Sequence, residues 1–276
     1  MKIFKIELKR AFISKRFLIA LAIGVILSIL ESVTAISKHF TDLKYEAMYD
    51  LYTKMAFTQD NSLYSWICGN MYNVQQYIYF IILPFIAVLP HGASLFQDRK
   101  NGFYKIVVPK CGKKKYFMAK FVSVFLSGGA AFILPLIFNL MTTMMFVPTV
   151  LPEVTTSIYA VWTRTMLGDL FFSNPAIYIT TFLITDFIAA GLFATLAIPI
   201  SYLTEYQFVV ELMPLLFYIF LFSLFGLFDA YEYQLNYAIN AAYSRSDGVI
   251  TYAELMVVAL VTITFCIVKG RTDEVM

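Results

Sequence analysis

Residues 117–147, FMAKFVSVFLSGGAAFILPLIFNLMTTMMFV, decide the fold. Apart from Lys120, this stretch carries no charged side chain. A helix needs about 20 consecutive apolar residues to cross the ~30 Å hydrocarbon core of a bilayer. The stretch is longer than that minimum, so it predicts a membrane-spanning helix that tilts or extends beyond the bilayer.

Five further apolar stretches are long enough to span a membrane, and the chain as a whole is strongly hydrophobic. The 276 residues are 60% hydrophobic and only 14% charged, more apolar surface than a soluble protein of this size can hide from water. The sequence therefore predicts an all-α integral membrane protein with six transmembrane helices and one domain over residues 1–276. The other predicted spans are residues 17–36, 77–96, 176–203, 208–229 and 252–268.

Lysine and arginine placement predicts the orientation. With the N-terminus inside, 16 of the 21 basic residues fall on the cytoplasmic side, as the positive-inside rule requires. We therefore expect both termini in the cytoplasm and segments 37–76 and 148–175 outside the cell. The first apolar run is too long for a usual signal peptide and no clear cleavage site follows it, so we expect it to remain as the first helix. Five basic residues are left outside: Lys38, Lys44, Lys54, Arg164 and Arg245.

Two segments outside the spans are also predicted to be helical. Residues 1–16 fit an interfacial helix lying along the inner leaflet, although a simple basic flank that fixes topology is an alternative. Residues 42–57 contain no glycine or proline and predict a helix that lies on the outer surface or packs on neighbouring helices. The apolar stripe of the N-terminal helix is expected to comprise Phe4, Leu8, Ala11 and Phe12.

The inner loop, residues 97–116, carries the most informative pattern. Gly102 can end the preceding helix, residues 103–108 can form a short helix, and Pro109 can bound it. Phe103, Ile106 and Val107 then share one side of that helix at helical spacing. An exposed apolar knob among lysines indicates a protein partner, whereas lysines alone would also suit anionic lipid head groups. The spacing leaves both interpretations open.

One pattern in this region resembles the permeases of type-two ABC exporters. The pattern begins with an acidic residue, Asp98, and a glycine four positions later, Gly102. A proline, Pro109, follows, and a lysine, Lys120, opens the next span. The residue-level resemblance covers mainly residues 1–35 and 84–140. In that family the inner loop is a coupling helix that docks on a separate ATPase, and two permeases work with two ATPases.

The resemblance implies a function and a set of coupling residues. The chain would be the permease of an ATP-driven exporter in a bacterial plasma membrane, moving a hydrophobic or amphipathic substrate such as a peptide. ATP and Mg²⁺ would bind the partner ATPase, with no cofactor in this chain. A second permease subunit and membrane lipid are the other expected partners, and no nucleic acid is expected. The coupling residues would be Asp98, Gly102, Phe103, Ile106, Val107 and Pro109.

Motifs of enzymes are missing from the sequence. At Gly112-Lys113, the best approximation to a P-loop, Val107 replaces the first glycine and Lys114 replaces the Ser/Thr. No hydrolase or metalloprotease signature occurs, and the three cysteines and two histidines show no metal-ligand spacing. We therefore expect neither a catalytic site nor a metal site in this chain.

Two features within the spans call for explanation. The small residues Gly128 to Ala131, with the pairs Ala20/Gly24 and Ala190/Ala194, predict close helix packing. Asp186 lies inside the fourth span, where a carboxylate costs about 2.5–3.5 kcal/mol on insertion scales. It is a candidate for the transport pathway or a dimer contact. A packing residue hydrogen-bonded to Thr181 or Thr185 is the alternative.

Two other classes of function compete with the exporter. An ion-coupled carrier would favour several paired charges inside the membrane, whereas Asp186 is the only deep one. A peptide- or lipid-binding immunity or sensor protein would suit the Tyr-rich outer segment 37–76.

Overall fold

A computed structural model of the chain describes residues 2–48, 60–70, 73–153, 159, 161–163, 165–242 and 248–272. Within these ranges the regular elements are all helices. They are α1 (Lys2–Phe12), α2 (Lys15–Met48), α3 (Ser62–Ser65), α4 (Val74–Ile81), α5 (Leu83–Val88), α6 (Ser94–Lys100), α7 (Phe103–Cys111), α8 (Lys113–Phe146), α9 (Gly168–Ser173), α10 (Pro175–Thr195), α11 (Ala197–Ile200), α12 (Gln207–Leu227), a 3₁₀ turn (Tyr231–Tyr233), α13 (Leu235–Ile239) and α14 (Gly248–Thr272).

Among the residues that the structure describes, five helical segments are long and apolar enough to cross a membrane. Large apolar side chains such as Met145, Phe220 and Leu260 remain exposed on their outer surfaces, as expected where lipid is the solvent. The all-helical fold and the multi-pass membrane character predicted from the sequence agree with this architecture. The five segments are Lys15–Tyr45, Lys113–Phe146, Pro175–Ile200, Gln207–Leu227 and Gly248–Lys269.

The predicted second span, residues 77–96, is a broken helix. It is built from α4, α5 and α6 in series, with breaks at Ile82 and in the turn that follows Val88. Pro84 and Pro90 explain the breaks, because proline cannot donate a backbone hydrogen bond and clashes with the preceding turn. Most side chains between Leu83 and Phe96 are buried within the protein.

α8 is the central helix of the bundle and packs against α1, α2, α5, α10 and α14. A Cβ added to Gly128 would lie 2.6 Å from the Ala194 Cβ and 2.7 Å from the Ala87 carbonyl oxygen. A Cβ added to Gly24 would lie 2.5 Å from the Pro135 Cγ. Gly24, Gly128 and Ala194 therefore make the close helix contacts that the sequence predicted.

The first of the two segments predicted to lie outside the cell, here called the outer segments, is partly the continuation of α2. Residues 42–48 of the predicted surface helix extend α2 without a break, and residues 49–57 lie outside the described residues. Asn61 joins the two outer segments, because its Nδ2 donates to the Val150 carbonyl oxygen and to the Tyr159 hydroxyl, each at 2.7 Å. The outer segment 148–175 is therefore held against the start of α3, and it contains α9.

The segment after α12 folds back into the bundle. The 3₁₀ turn and α13 contact α12, α10 and α14, and Asn236 and Ile239 are buried. The Tyr178 hydroxyl donates to the Ala241 carbonyl oxygen at 2.8 Å, and Gln234 Nε2 donates to the Phe222 carbonyl oxygen at 2.9 Å. This short segment thus forms part of the packed interior, while residues 243–247 lie outside the described residues.

Substituting Gly128 by alanine should destabilise the bundle. The new Cβ would overlap backbone and Cβ atoms that cannot rotate away, so we expect a loss of about 1–3 kcal/mol, seen as a lower thermal unfolding temperature in detergent. Gly226→Ala is the matched control, because its Cβ would meet only the Gln234 side-chain nitrogen at 3.2 Å. Equal unfolding temperatures for the two variants would contradict this packing.

Candidate functional site

Four charged side chains form a buried cluster where α1, α6 and α8 meet. Lys120 Nζ lies 2.6 Å from Glu7 Oε2 and 2.6 Å from Asp98 Oδ2. Arg10 pairs with the remaining oxygens, with Nη1 2.8 Å from Glu7 Oε1 and Nη2 2.8 Å from Asp98 Oδ1. Glu7 and Lys120 are 0% exposed and Asp98 is 2% exposed. Two acids and one base are therefore buried, and Arg10, whose side chain is 36% exposed, completes the neutral set from the edge of the cluster.

Two further side chains complete this buried charge cluster. The Tyr116 hydroxyl donates to Asp98 Oδ2 at 2.7 Å. His91 Nε2 lies 3.0 Å from Glu7 Oε2, and because an ionised carboxylate only accepts hydrogen bonds, Nε2 must carry a proton. Every carboxylate oxygen of Glu7 and Asp98 thus has at least one donor.

The cluster keeps Glu7 ionised. Burial alone would raise the pKa of its carboxyl group, but the hydrogen bond from His91 and the charges of Lys120 and Arg10 outweigh burial. The net effect lowers the pKa from 4.5 to about 2. Glu7 therefore carries its charge throughout the physiological pH range.

The energetic role of the cluster follows from its burial. A buried ion pair contributes little net stability against an apolar alternative, but removing one partner strands a charge and costs about 3–5 kcal/mol. Glu7 and Arg10 lie on α1, Asp98 on α6 and Lys120 on α8. The cluster is therefore a clamp that fixes the relative positions of three helices.

The sequence identified only part of this cluster. The family pattern singled out Asp98 and Lys120, and the structure pairs them directly. Asp98 is too buried to touch a partner protein itself, so it can act on a partner only through the helices that it connects. Glu7, Arg10 and His91 were missed, although Glu7 is the sole acid among the first 16 residues and stands one helical turn before Arg10.

The predicted apolar stripe of α1 coincides with the buried face of the helix only at Ala11. Phe4 and Leu8 are half-buried and Phe12 is exposed, whereas Ile3 and Glu7 are buried like Ala11. A glutamate occupies the packed face because Lys120 and His91 satisfy it there. Hydrophobicity alone could not identify this face.

α7 is the predicted short helix, flanked by two glycines in left-handed conformations. Gly102 has φ 73° and Gly112 has φ 83°, values that strain any residue with a side chain. The sequence predicted that this helix ends before Pro109. In the structure it continues through Pro109 to Cys111. Pro109 is exposed, so water can solvate the carbonyl group that lacks its helical partner.

The buried side of α7 packs on the bases of the long helices. Tyr104 and Val108 belong to an apolar cluster with Tyr116 and Phe117 of α8 and with Ile198 of α11. Phe265 and Cys266 of α14 pack against the same cluster. A displacement of α7 therefore acts first on α6 and α8, and through the shared cluster on α11 and α14.

The opposite side of α7 is a small exposed surface. Of the three side chains predicted to form a knob, Ile106 is 59% exposed, while Phe103 and Val107 are half-buried. The Arg10 guanidinium lies 4.9 Å from the Phe103 ring centroid, which ties Phe103 to the charge cluster. We name the exposed set the α7 surface; it consists of Lys105, Ile106, Pro109 and Lys110.

Asp186 of α10 is buried apart from these elements. It is 1% exposed, and its Oδ1 has no hydrogen-bond partner among the described residues. The two threonines proposed as its partners bond elsewhere, because Thr181 donates to the Ile177 carbonyl oxygen and Thr185 donates to the Thr181 carbonyl oxygen. Neither threonine therefore forms the hydrogen bond to Asp186 that the packing alternative predicted.

A double-mutant cycle should expose the charge balance of the cluster. Lys120→Met strands a negative charge and should lower the free energy of unfolding by about 3–5 kcal/mol. Adding Glu7→Gln leaves the Arg10–Asp98 pair balanced, so the double variant should lose less than the sum of the single losses, by about 0.5–3 kcal/mol.

Unfolding in detergent, monitored by circular dichroism, measures these differences. Lys115→Met is the matched control, because Lys115 is an exposed lysine on the same helix. Strictly additive losses for Lys120 and Glu7 would contradict the clamp.

Comparisons with protein-family models, with curated proteins and with solved structures find no match to this chain.

Proposed function

We propose that this chain is the membrane subunit of an ATP-driven exporter, and that α7 couples it to a separate cytoplasmic ATPase. The observation that carries the proposal is the position of α7 between the two members of the family pattern. Asp98 and Lys120, far apart in sequence, bind each other beneath a helix that presents Ile106 among lysines. A firmly anchored helix with an exposed apolar residue suits transmission of force from a partner.

Six spans with both ends in the cytoplasm are part of this proposal. The five long helices supply five crossings, and α4 to α6 would supply the other. An interrupted helix at membrane depth is tolerated only where protein surrounds it, and the buried side chains of residues 83–96 meet that condition. The basic residues then lie at the cytoplasmic surface of a bacterial plasma membrane.

The proposed mechanism is mechanical. ATP-driven closure of the ATPase displaces the α7 surface, and Tyr104 and Val108 pass the displacement to the bases of α8, α11 and α14. The buried charge cluster makes α1 move with α8, because separating them would strand buried charges. Two permease subunits would alternate access to a pathway for a hydrophobic or amphipathic substrate, with ATP biasing two states.

A charge placed on the α7 surface should uncouple the ATPase. Ile106→Asp leaves the packed side of α7 untouched, so we expect normal membrane insertion but loss of ATP hydrolysis from the protein purified out of its native membrane. Leu203→Asp is the matched control, since Leu203 is also exposed, in the short segment between α11 and α12. Hydrolysis that co-purifies equally with both variants would overturn the coupling role. If α7 rests on lipid instead, its lysines matter more than Ile106.

Asp186 favours a second candidate, a carrier driven by an ion gradient. A buried carboxylate whose Oδ1 has no partner among the described residues is a typical ion or proton site within a membrane. The exporter and the carrier differ in the energy source that transport requires.

Asp186→Asn separates the two candidates. In the exporter, transport into inverted vesicles depends on ATP and continues without a proton gradient, and Asp186→Asn changes its rate at most. In the carrier, collapse of the gradient abolishes transport and Asp186→Asn abolishes its dependence on the gradient. The matched control is Asp169→Asn, because Asp169 is exposed.

A further inference from the structure

A cavity of about 300 Å³ lies between α12, α13 and α14, with one wall from α10. Its volume is at the lower end of the ~300–1,000 Å³ typical of small-molecule sites. Most of the lining is aromatic or aliphatic, including Phe217 and Phe222 of α12 and Val258 of α14. The cavity can therefore enclose the apolar body of a small molecule.

Polar side chains also line this cavity, and three of them have unused hydrogen-bonding capacity. Asn236 is 4% exposed and its Oδ1 has no partner among the described residues. Tyr218 is 2% exposed and its hydroxyl likewise has no partner among them. Glu254 is half-buried, and no described residue forms an ion pair or hydrogen bond with its carboxylate.

These groups define the chemistry of a complementary ligand. A buried acceptor without a donor destabilises the folded protein, and an unpaired carboxylate beside apolar walls destabilises it more. Carboxylate and amide oxygens accept hydrogen bonds, so the complementary group is a donor with positive charge. Aromatic faces around the same space also attract a cation.

We propose that this cavity binds a small amphipathic amine. Its ammonium group donates hydrogen bonds to Glu254 and Asn236, and its apolar body lies against Phe217 and Phe222. The proposal that an amine binds here is based on the cavity alone. The further step, export of the bound amine, rests on the proposed function. A free amine and the head group of an amine lipid share this chemistry.

The first test uses two probes of equal shape and different charge. Purified protein in lipid-free detergent is titrated calorimetrically with 4-phenylbutylamine and with 4-phenylbutanol. We expect the amine to bind about tenfold more tightly, the factor for one charge-assisted hydrogen bond. Equal affinities, or no binding of either probe, would overturn the proposal. No ATPase or ATP is present, so this result is independent of the proposed function.

Variants of cavity residues test whether the preference for the amine over the alcohol arises in this cavity. Glu254→Gln keeps the shape and should reduce amine affinity to that of the alcohol, while unchanged alcohol binding shows that the cavity is still folded. Val258→Phe should fill the cavity and abolish binding of both probes. The control Asp169→Asn removes an exposed acid and should change neither affinity. Amine preference that survives Glu254→Gln would refute the assignment.

Lipid competition distinguishes the two sources of the amine. Displacement of 4-phenylbutylamine by phosphatidylethanolamine but not by phosphatidylcholine would identify a lipid head group as an occupant and support the amine site. No displacement by either lipid would support a free amine. Equal displacement by both lipids would show that acyl chains fill the cavity, and it would overturn the proposal.

Discussion

Charge balance around two buried carboxylates is the constraint on which the basic end of this protein depends. Glu7, Arg10, Asp98 and Lys120 are stable only as a complete set, because each removed partner leaves an uncompensated charge. The set includes side chains from three helices, so the requirement for balance is also a requirement on helix position. Apolar contacts could hold α1 against α8 equally well, but they would tolerate sliding.

The fold was predictable where hydrophobic length determines it. Residues 117–147 can only be a long helix in lipid, and α8 covers nearly all of them. The broken form of the predicted second span was harder to predict, because Pro84 and Pro90 lie within an apolar run that looks continuous by hydropathy. Length and composition show that a segment enters the membrane, whereas the surrounding protein decides whether it remains one helix.

The site was predictable only where a local pattern existed. The glycine before α7 and the paired Asp98 and Lys120 belong to such a pattern, and Ile106 follows from helical spacing. Glu7 and His91 could not be found in this way, because His91 and Lys120 lie more than 80 residues from Glu7 in sequence. The same limit applies to the amine cavity, whose Glu254 and Asn236 lie on different helices.

The two glycines that flank α7 leave the ends of this helix unpacked, while its buried side holds it to the bundle. A side chain at Gly102 or Gly112 would meet nothing within 4 Å, so neighbouring atoms place no steric limit on the backbone at either end. Tyr104 and Val108 supply the attachment instead. The residues of the α7 surface take no part in that packing, so they can diverge in evolution while the helical architecture beneath stays the same.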